Sequence, residues 1–529
     1  MMKKFSFREV LGSGEAYSWM SAAALAAAIL MIAGLLLLIT AKGLGFFYPS
    51  SLARITLEDG EVVLGHFAGS EKTDTGTQTR LKVGNRDVYG LAFRRIDDAA
   101  VRSVEYPRDA VVINRWEWGD MIGVVKEIRS GGEALAYGGD TAALAPYVKK
   151  ARELRERAGR IATKEVEGID RRIRKALERA EKTGDPDGRF AARAEELENL
   201  YAEKEAELEE IYSRIDEDSI VVAVAGGGER EVSFGNIERV FAPNAMGALS
   251  RAALYLERFR VFVSTGPREA NTEGGILPAI LGTVIMVIIM SVMVMPLGVL
   301  AALYLSEYSK KGAFVRIVRI CVNNLAGVPS IVFGVFGLGF FIYGIGGLID
   351  SVFFAEALPA PTFGTGGVLW ASLTLALLTV PVVIVSTEEG LSQVPRNMRE
   401  GSLALGATKF ETIWKVVLPG ALPGIMTGLI LAVARAAGEV APLMLTGVVK
   451  LAPDALVDGN FPFIHAERKF MHLGFHIYDV GFQSPNVEAA KDIVYATAFL
   501  LIAIVAALNL AAIFIRSRIR EKKFGSAAV

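Results

Sequence analysis

The segment Glu400–Pro419, EGSLALGATKFETIWKVVLP, is polar and helix-forming, yet it lies between two long apolar runs. It carries Ala, Leu and Lys where a plain connection carries turn residues. Such a stretch offers a surface for another protein to read. Gly406 stands six residues after Glu400, and Leu418-Pro419 begins twelve residues beyond the glycine.

The surrounding chain has 529 residues, of which 52% are apolar and 22% charged. Its mean hydropathy is +0.37, so apolar and water-facing parts must be segregated. A formal net charge of −1 gives no support for nucleic-acid binding. The single cysteine, Cys321, excludes an intramolecular disulfide and a thiol metal cluster.

Six runs reach or approach the roughly 20 residues needed to cross a hydrocarbon core of about 30 Å. They fall near 18–40, 276–305, 317–345, 369–385, 421–446 and 493–515. The first follows Lys3, Lys4 and Arg8 like a signal peptide. Its apolar stretch is long, however, and its exit is a poor cleavage site, so it reads as an uncleaved anchor.

Lys and Arg concentrate on one set of short segments: Lys310, Lys311, Arg316 and Arg319; Arg396, Arg399, Lys409 and Lys415; and Arg516, Arg518, Arg520, Lys522 and Lys523. The loop 346–368 has none. The positive-inside rule then puts both termini and the segment 386–420 in the cytoplasm. Residues 43–275 become one long extracytoplasmic insertion.

Within that insertion, Arg54–Leu57, the turn Glu58-Asp59-Gly60 and Glu61–Leu64 read as a β-hairpin. Further strands are expected at Leu81–Val83, Val88–Phe93 and Ala110–Asn114, and again at Ile220–Ala225 and Glu231–Phe234. From 147 to 218 the composition shifts to Glu, Arg, Lys, Ala and Leu. Two apolar series occur, Leu154, Ile161, Ile169, Ile173, Leu177 and Ala180, then Leu197, Tyr201, Leu208, Ile211 and Ile215. The breaker cluster 183–188 separates them. The pattern predicts an antiparallel coiled-coil hairpin interrupting a β-rich unit, with strands from both sides, including Arg54–Leu64 and Ile220–Phe234, closing one sheet.

No Walker A pattern occurs; Lys72-Thr73 lacks the preceding glycine. The chain is therefore expected to hydrolyse no ATP. His472 and His476 stand i, i+4, but no acidic pair completes a metal site, and they read as part of a surface loop helix. In the fifth run, Arg435 and Glu439 stand i, i+4 on the expected helix and point the same way. Charges at that depth are costly and usually pair or line an aqueous path. They read as a structural ion pair, or as a contact in which Arg435 meets an anionic substrate and Glu439 tunes it.

The spacing of the opening segment resembles the coupling motif of ATP-binding-cassette (ABC) importer permeases: Glu-Ala-Ala, three residues, Gly, nine residues, then Ile-x-Leu-Pro. Here the motif reads Glu400-Gly401-Ser402, Gly406 and Val416-Val417-Leu418-Pro419. Gly-Ser replaces Ala-Ala and Val replaces Ile, which lowers helix propensity at the triplet. With Pro296–Tyr308, Asn323–Gly339 and Ala434–Leu443, the chain resembles the A-type membrane permease of the phosphate-specific ABC importer over about 274–515. Residues 43–273 lie outside the ordinary short form.

The resemblance implies an α-helical polytopic membrane protein with a type I ABC importer permease core (276–515) and an inserted α+β extracytoplasmic domain. It places Glu400, Gly401, Ser402, Gly406, Leu418 and Pro419 in ATPase coupling, and Arg435 and Glu439 in the translocation region. It implies phosphate import across the cytoplasmic (inner) membrane by alternating access. The implied partners are a C-type permease, an ATPase dimer that binds ATP and Mg, an extracytoplasmic phosphate-binding protein and membrane lipid; no cofactor is expected in this chain. The alternatives are a permease for sulfate or molybdate, a gradient-driven transporter, and a membrane-anchored sensor or scaffold.

Overall fold

Apolar helices and a polar α+β region separate in space as they do in composition. The structure, a computed structural model, describes residues 15–524 apart from 74–75, 132, 184–187, 227, 311, 356–357, 460 and 485–486. Two compact units result, Tyr48–Glu257 and a second made of Met1–Phe47 with Arg258–Val529. The expected breaker 183–188 falls mostly outside the described residues, as do Lys3, Lys4, Arg8 and Lys311.

Among the described residues of the helical unit, six helices are long and apolar enough to cross a membrane: Tyr17–Gly45, Leu277–Tyr308, Ser330–Phe353, Val368–Ser392, Lys409–Gly438 and Lys491–Arg518. The fourth is the most enclosed and packs against the second and fifth. Gly390 and Gly424 let the fourth and fifth helices meet at backbone distance. A Cβ added to Gly424 would lie 2.5 Å from the Gly390 Cα, the close approach that small residues permit between membrane helices.

Two spans differ from the hydropathy reading. The third was expected at 317–345, but the chain forms a separate helix, Ala313–Leu325, and restarts at Ser330 after Pro329. Proline lacks an N–H and disfavours the α region for the residue before it; here the first helix ends at Leu325 and Pro329 caps the next. The fifth was expected at 421–446. It begins at Lys409 instead and stops at Gly438, with a short helix Ala441–Thr446 beyond. Pro442 explains the stop, because its ring would clash with the Gly438 carbonyl four residues back.

The α+β unit holds two sheets. One has the order β4-β3-β2-β1-β5, from β1 (Ala53–Leu57), β2 (Val62–Thr73), β3 (Gly76–Lys82), β4 (Phe93–Asp97) and β5 (Val101–Glu105). The other runs β10-β9-β7-β6-β11, with β8 on β7. Its strands are β6 (Ala110–Arg115), β7 (Met121–Ser130), β8 (Glu133–Ala136), β9 (Asp218–Ala223), β10 (Glu229–Ser233) and β11 (Ile237–Phe241).

The second sheet thus joins strands from before and after the helical hairpin. The hairpin strands Arg54–Leu64 belong to the first sheet, so they do not pair with Ile220–Phe234 as expected. Leu52, Leu64, Ala110, Val112, Ile122, Phe241 and Leu254 form a buried cluster that draws on both sheets. Buried Asn85 acts as a strand partner there, donating to the Ile122 carbonyl (2.8 Å) and accepting from its N–H (2.9 Å). The expected strand Val88–Phe93 is not formed. Asn85 and Gly90, both in the left-handed region, bracket a single helical turn at Arg86–Tyr89.

The helical hairpin comprises Ala145–Arg160, a π-helical turn Ile161–Val166, Glu167–Thr183 and the returning helix Arg189–Ile215. At 1.5 Å per residue the returning helix is about 40 Å long. Its seam differs from the sequence pattern at one point. Ile161, Ile169 and Ala176 are buried, whereas Leu177 is half exposed. The π turn inserts a residue and rotates the following face by about 100°.

Ile169→Ala should therefore weaken the hairpin by about 2–4 kcal/mol, while Leu177→Ala should cost under about 0.5 kcal/mol. Rates of proteolytic cleavage within 145–215 of the full chain check this. Equal sensitivity of the two variants would contradict the seam described.

Candidate functional site

The segment that opened the sequence reading is a helix–turn–helix. Its first helix, Arg396–Ala404, starts after Pro395 and ends in a turn that requires glycine. Gly406 has φ +87°, its N–H donates to the Leu403 carbonyl (3.0 Å), and the Ala407 N–H donates to the Ser402 carbonyl (3.2 Å). This is the Schellman arrangement, which places glycine at the first residue beyond the helix cap. The spacing from Glu400 to Gly406 thus has a local cause.

Thr408 then caps the next helix. The Glu411 N–H donates to Thr408 Oγ1 (3.2 Å), and the Thr408 N–H donates to Glu411 Oε2 (3.0 Å), a reciprocal capping box. The two helices are tied by Ser402 Oγ and Thr412 Oγ1 at 2.9 Å. Ahead of Pro419 the backbone takes a π-helical turn, Ile413–Val417. Wider hydrogen bonding upstream suits a helix that lacks the proline N–H.

Glu400 and Gly401 are exposed, and Leu418 and Pro419 are half-buried. A Cβ on Gly401 would meet nothing within 4 Å, so packing does not require glycine there. Leu403, Leu405, Phe410 and Trp414 are exposed, Leu405 by 91%. The Phe410 and Trp414 rings stack with centroids 6.3 Å apart. Apolar side chains gathered on a polar segment form a surface suited to a protein partner.

Arg435 and Glu439 do not share one continuous helix. Arg435 lies in the last turn of the helix ending at Gly438, and Glu439 is already extended, with ψ 135°. Arg435 Nε and Glu439 Oε1 are 3.9 Å apart, with the side chains 33% and 23% exposed. The arginine lies beside the partial negative charge of the helix C-terminus, a favourable place for a cation. Among the described residues its guanidinium donates no hydrogen bond, which leaves its donors available to an anion.

The histidines correct the surface-helix expectation. The helix exists, Leu473–Tyr478, but His472 and His476 are fully buried. Burial holds the His472 imidazole down at about 3. Burial likewise lowers His476 to about 4, with Asp479 opposing the shift and Lys450 adding to it. Both are therefore neutral near pH 7. Asp479 is buried as well, 3.2 Å from Lys450 Nζ and accepting from Asn271 Nδ2 at 3.2 Å. Among the described residues, no three His, Cys, Asp or Glu side chains are grouped to hold a metal ion.

Sequence reasoning missed this polar cluster. It also missed Glu307, which receives Arg399 Nη1 at 2.5 Å. A charge closing the apolar run YLSEY was its only signal.

Residues 294–523 match the family described as binding-protein-dependent transport system inner membrane component. A phosphate transport system permease protein PstA of Mycobacterium leprae is 38% identical over 37% of this chain and 59% of its own length. PstA 1 of Mycobacterium tuberculosis (strain CDC 1551) is 36% identical over 46% of this chain and 71% of its own length. The probable ABC transporter permease YqgI of Bacillus subtilis is 30% identical, over 49% and 84%. A solved chain of the methionine ABC transporter MetNI is 20% identical, with a TM-score of 0.32 over 46% of this chain and 93% of that one. With relatives covered over most of their own length, and with six membrane-length helices among the described residues, this chain belongs to the binding-protein-dependent transport system inner membrane components, as a multi-pass PstA-type permease.

Proposed function

We propose that the chain is the transmembrane subunit of an ATP-driven importer that moves inorganic phosphate across the inner membrane by alternating access. The observation that carries this reading is the helix–turn–helix Arg396–Thr412, with its glycine-dependent turn and exposed apolar face at the family's coupling position. Phosphate as the cargo is supported by the names of the relatives at 36–38% identity. The chain has no Walker A pattern, so the energy comes from a separate ATPase dimer that binds ATP and Mg. Glu400, Gly401, Ser402 and Gly406 form the surface it grips, and Leu418 and Pro419 lead that surface into the fifth span.

The concentration of Lys and Arg on one set of short segments supports a cytoplasmic position for this surface and both termini, with Tyr48–Glu257 on the outer side. A C-type permease completes the pathway, and an extracytoplasmic phosphate-binding protein delivers the cargo. Arg435 is the anion contact. Its carboxylate partner at 3.9 Å is too distant for a hydrogen bond, and the helix break beside it is the kind of interruption found along membrane transport paths.

Two outcomes are expected. Gly406→Leu forces a branched side chain into φ +87°, so the co-purified ATPase and phosphate uptake should both fall about tenfold or more. Retention of the ATPase by the Gly406 variant would count against the docking surface, and uptake without ATP would favour a gradient-driven carrier. Arg435→Glu should abolish uptake in a particle that still assembles with its ATPase. Unchanged uptake would remove Arg435 from the pathway.

A further inference from the structure

The second span ends in a π-helical turn, Tyr304–Tyr308, rather than in a capped α-helix. Glu307 lies on this turn with its side chain only 11% exposed. A carboxylate at a helix C-terminus opposes the helix dipole, so its placement there calls for a partner. Arg399 supplies one, Lys409 reaches the same residue's main chain, and the two come from opposite sides of the Gly406 turn. Arg399, on the first helix, donates through Nη1 to Glu307 Oε1 at 2.5 Å. Lys409, at the start of the second, donates to the Glu307 main-chain carbonyl and lies 5.0 Å from the centre of the Tyr308 ring.

Arg399 has a second attachment. Its Nη2 donates to the Leu391 carbonyl at 2.5 Å, at the end of the fourth span, which also accepts the Val394 N–H at 3.3 Å. One guanidinium thus joins the helix–turn–helix to the ends of two spans. The Ser402–Thr412 hydrogen bond closes the figure by holding Arg399 and Lys409 on one body. These contacts leave Leu403, Leu405, Phe410 and Trp414 exposed.

We propose that Glu307 is the positioning residue through which movement of the 396–412 segment is passed to the second span. Arg399 and Lys409 grip it from either side of the turn. This rests on the reading of that segment as an ATPase dock. A rigid segment linked to Glu307 by charge-assisted hydrogen bonds cannot tilt without drawing the π turn along.

The test uses the full transporter reconstituted in vesicles, with ATP hydrolysed per phosphate imported as the readout. Glu307→Gln keeps the size of the side chain and the main-chain carbonyl. It should keep the ATPase bound and hydrolysing while uptake falls about tenfold, raising the ratio by the same factor. Lys409→Met, at an exposed position, should raise the ratio in the same direction by about threefold. The exchanged pair Glu307→Arg with Arg399→Glu should bring the ratio back toward that of the parent.

An unchanged ratio in both single variants overturns the proposal. So does loss of the ATPase from both, which would make the contacts structural only. Failure of the parent protein to retain an ATPase would instead sink the docking reading, and the two failures are thereby told apart.

Discussion

Inside a bilayer a backbone N–H or carbonyl has no water to turn to, so a helix can be interrupted only where protein or a polar path replaces the lost bond. The helical unit is organised by that constraint. Its second and fifth spans carry π-helical turns at 304–308 and 413–417, and the third widens over 337–346. The fifth stops outright at Gly438. The fourth span runs without a break and is the most enclosed, as expected for the helix against which the others are arranged.

The interruptions coincide with the places where chemistry is expected. The stop at Gly438 leaves an extended residue, Glu439, beside a helix C-terminus, and Arg435 lies across it at a separation too long for a hydrogen bond. A tight buried pair would have spent the arginine on its neighbour. The turns at 304–308 and 413–417 flank the helix–turn–helix, and Glu307 and Lys409 join the two regions. Irregular backbone at these points is stabilised by named side-chain partners, so it is better described as a set of joints than as loose structure.

The α+β unit follows different rules because it is built for water. Its two sheets share a buried cluster, and its hairpin carries charge outward over a narrow apolar seam. Arg115 is a cation buried in that unit. It is almost wholly buried, with Asp87 on its outer nitrogens at 2.8 and 3.0 Å and the Gly119 carbonyl on Nε. A buried guanidinium is tolerable only when its donors are matched in this way. The pairing holds the turn after β6 to the single helical turn Arg86–Tyr89.

How much of this could be read beforehand depends on range. The Glu400-to-Gly406 interval was legible because a Schellman turn is made by neighbours five residues apart, and the six spans because hydropathy is a local sum. The hairpin's two helices were legible for the same reason, but not its exact seam, since one π turn shifts every later residue on the face. Asn85 and Gly90 did carry the local turn signal against a strand at Val88–Phe93, where the reading followed apolar content instead.

By itself the sequence determined which segments are apolar and that Gly406 marks the coupling segment, because these follow from the chemistry of adjacent residues, whereas which prolines end a span was decided by packing: Pro381 lies within the fourth helix, and Pro329 and Pro442 stand at the starts of new ones. Only the tertiary structure decided that Glu307 meets Arg399 across 92 positions, that His476 and Asp479 are buried together near Lys450, and that Gly390 faces Gly424. Such contacts arise from the packing of whole helices, whose relative placement no local pattern encodes.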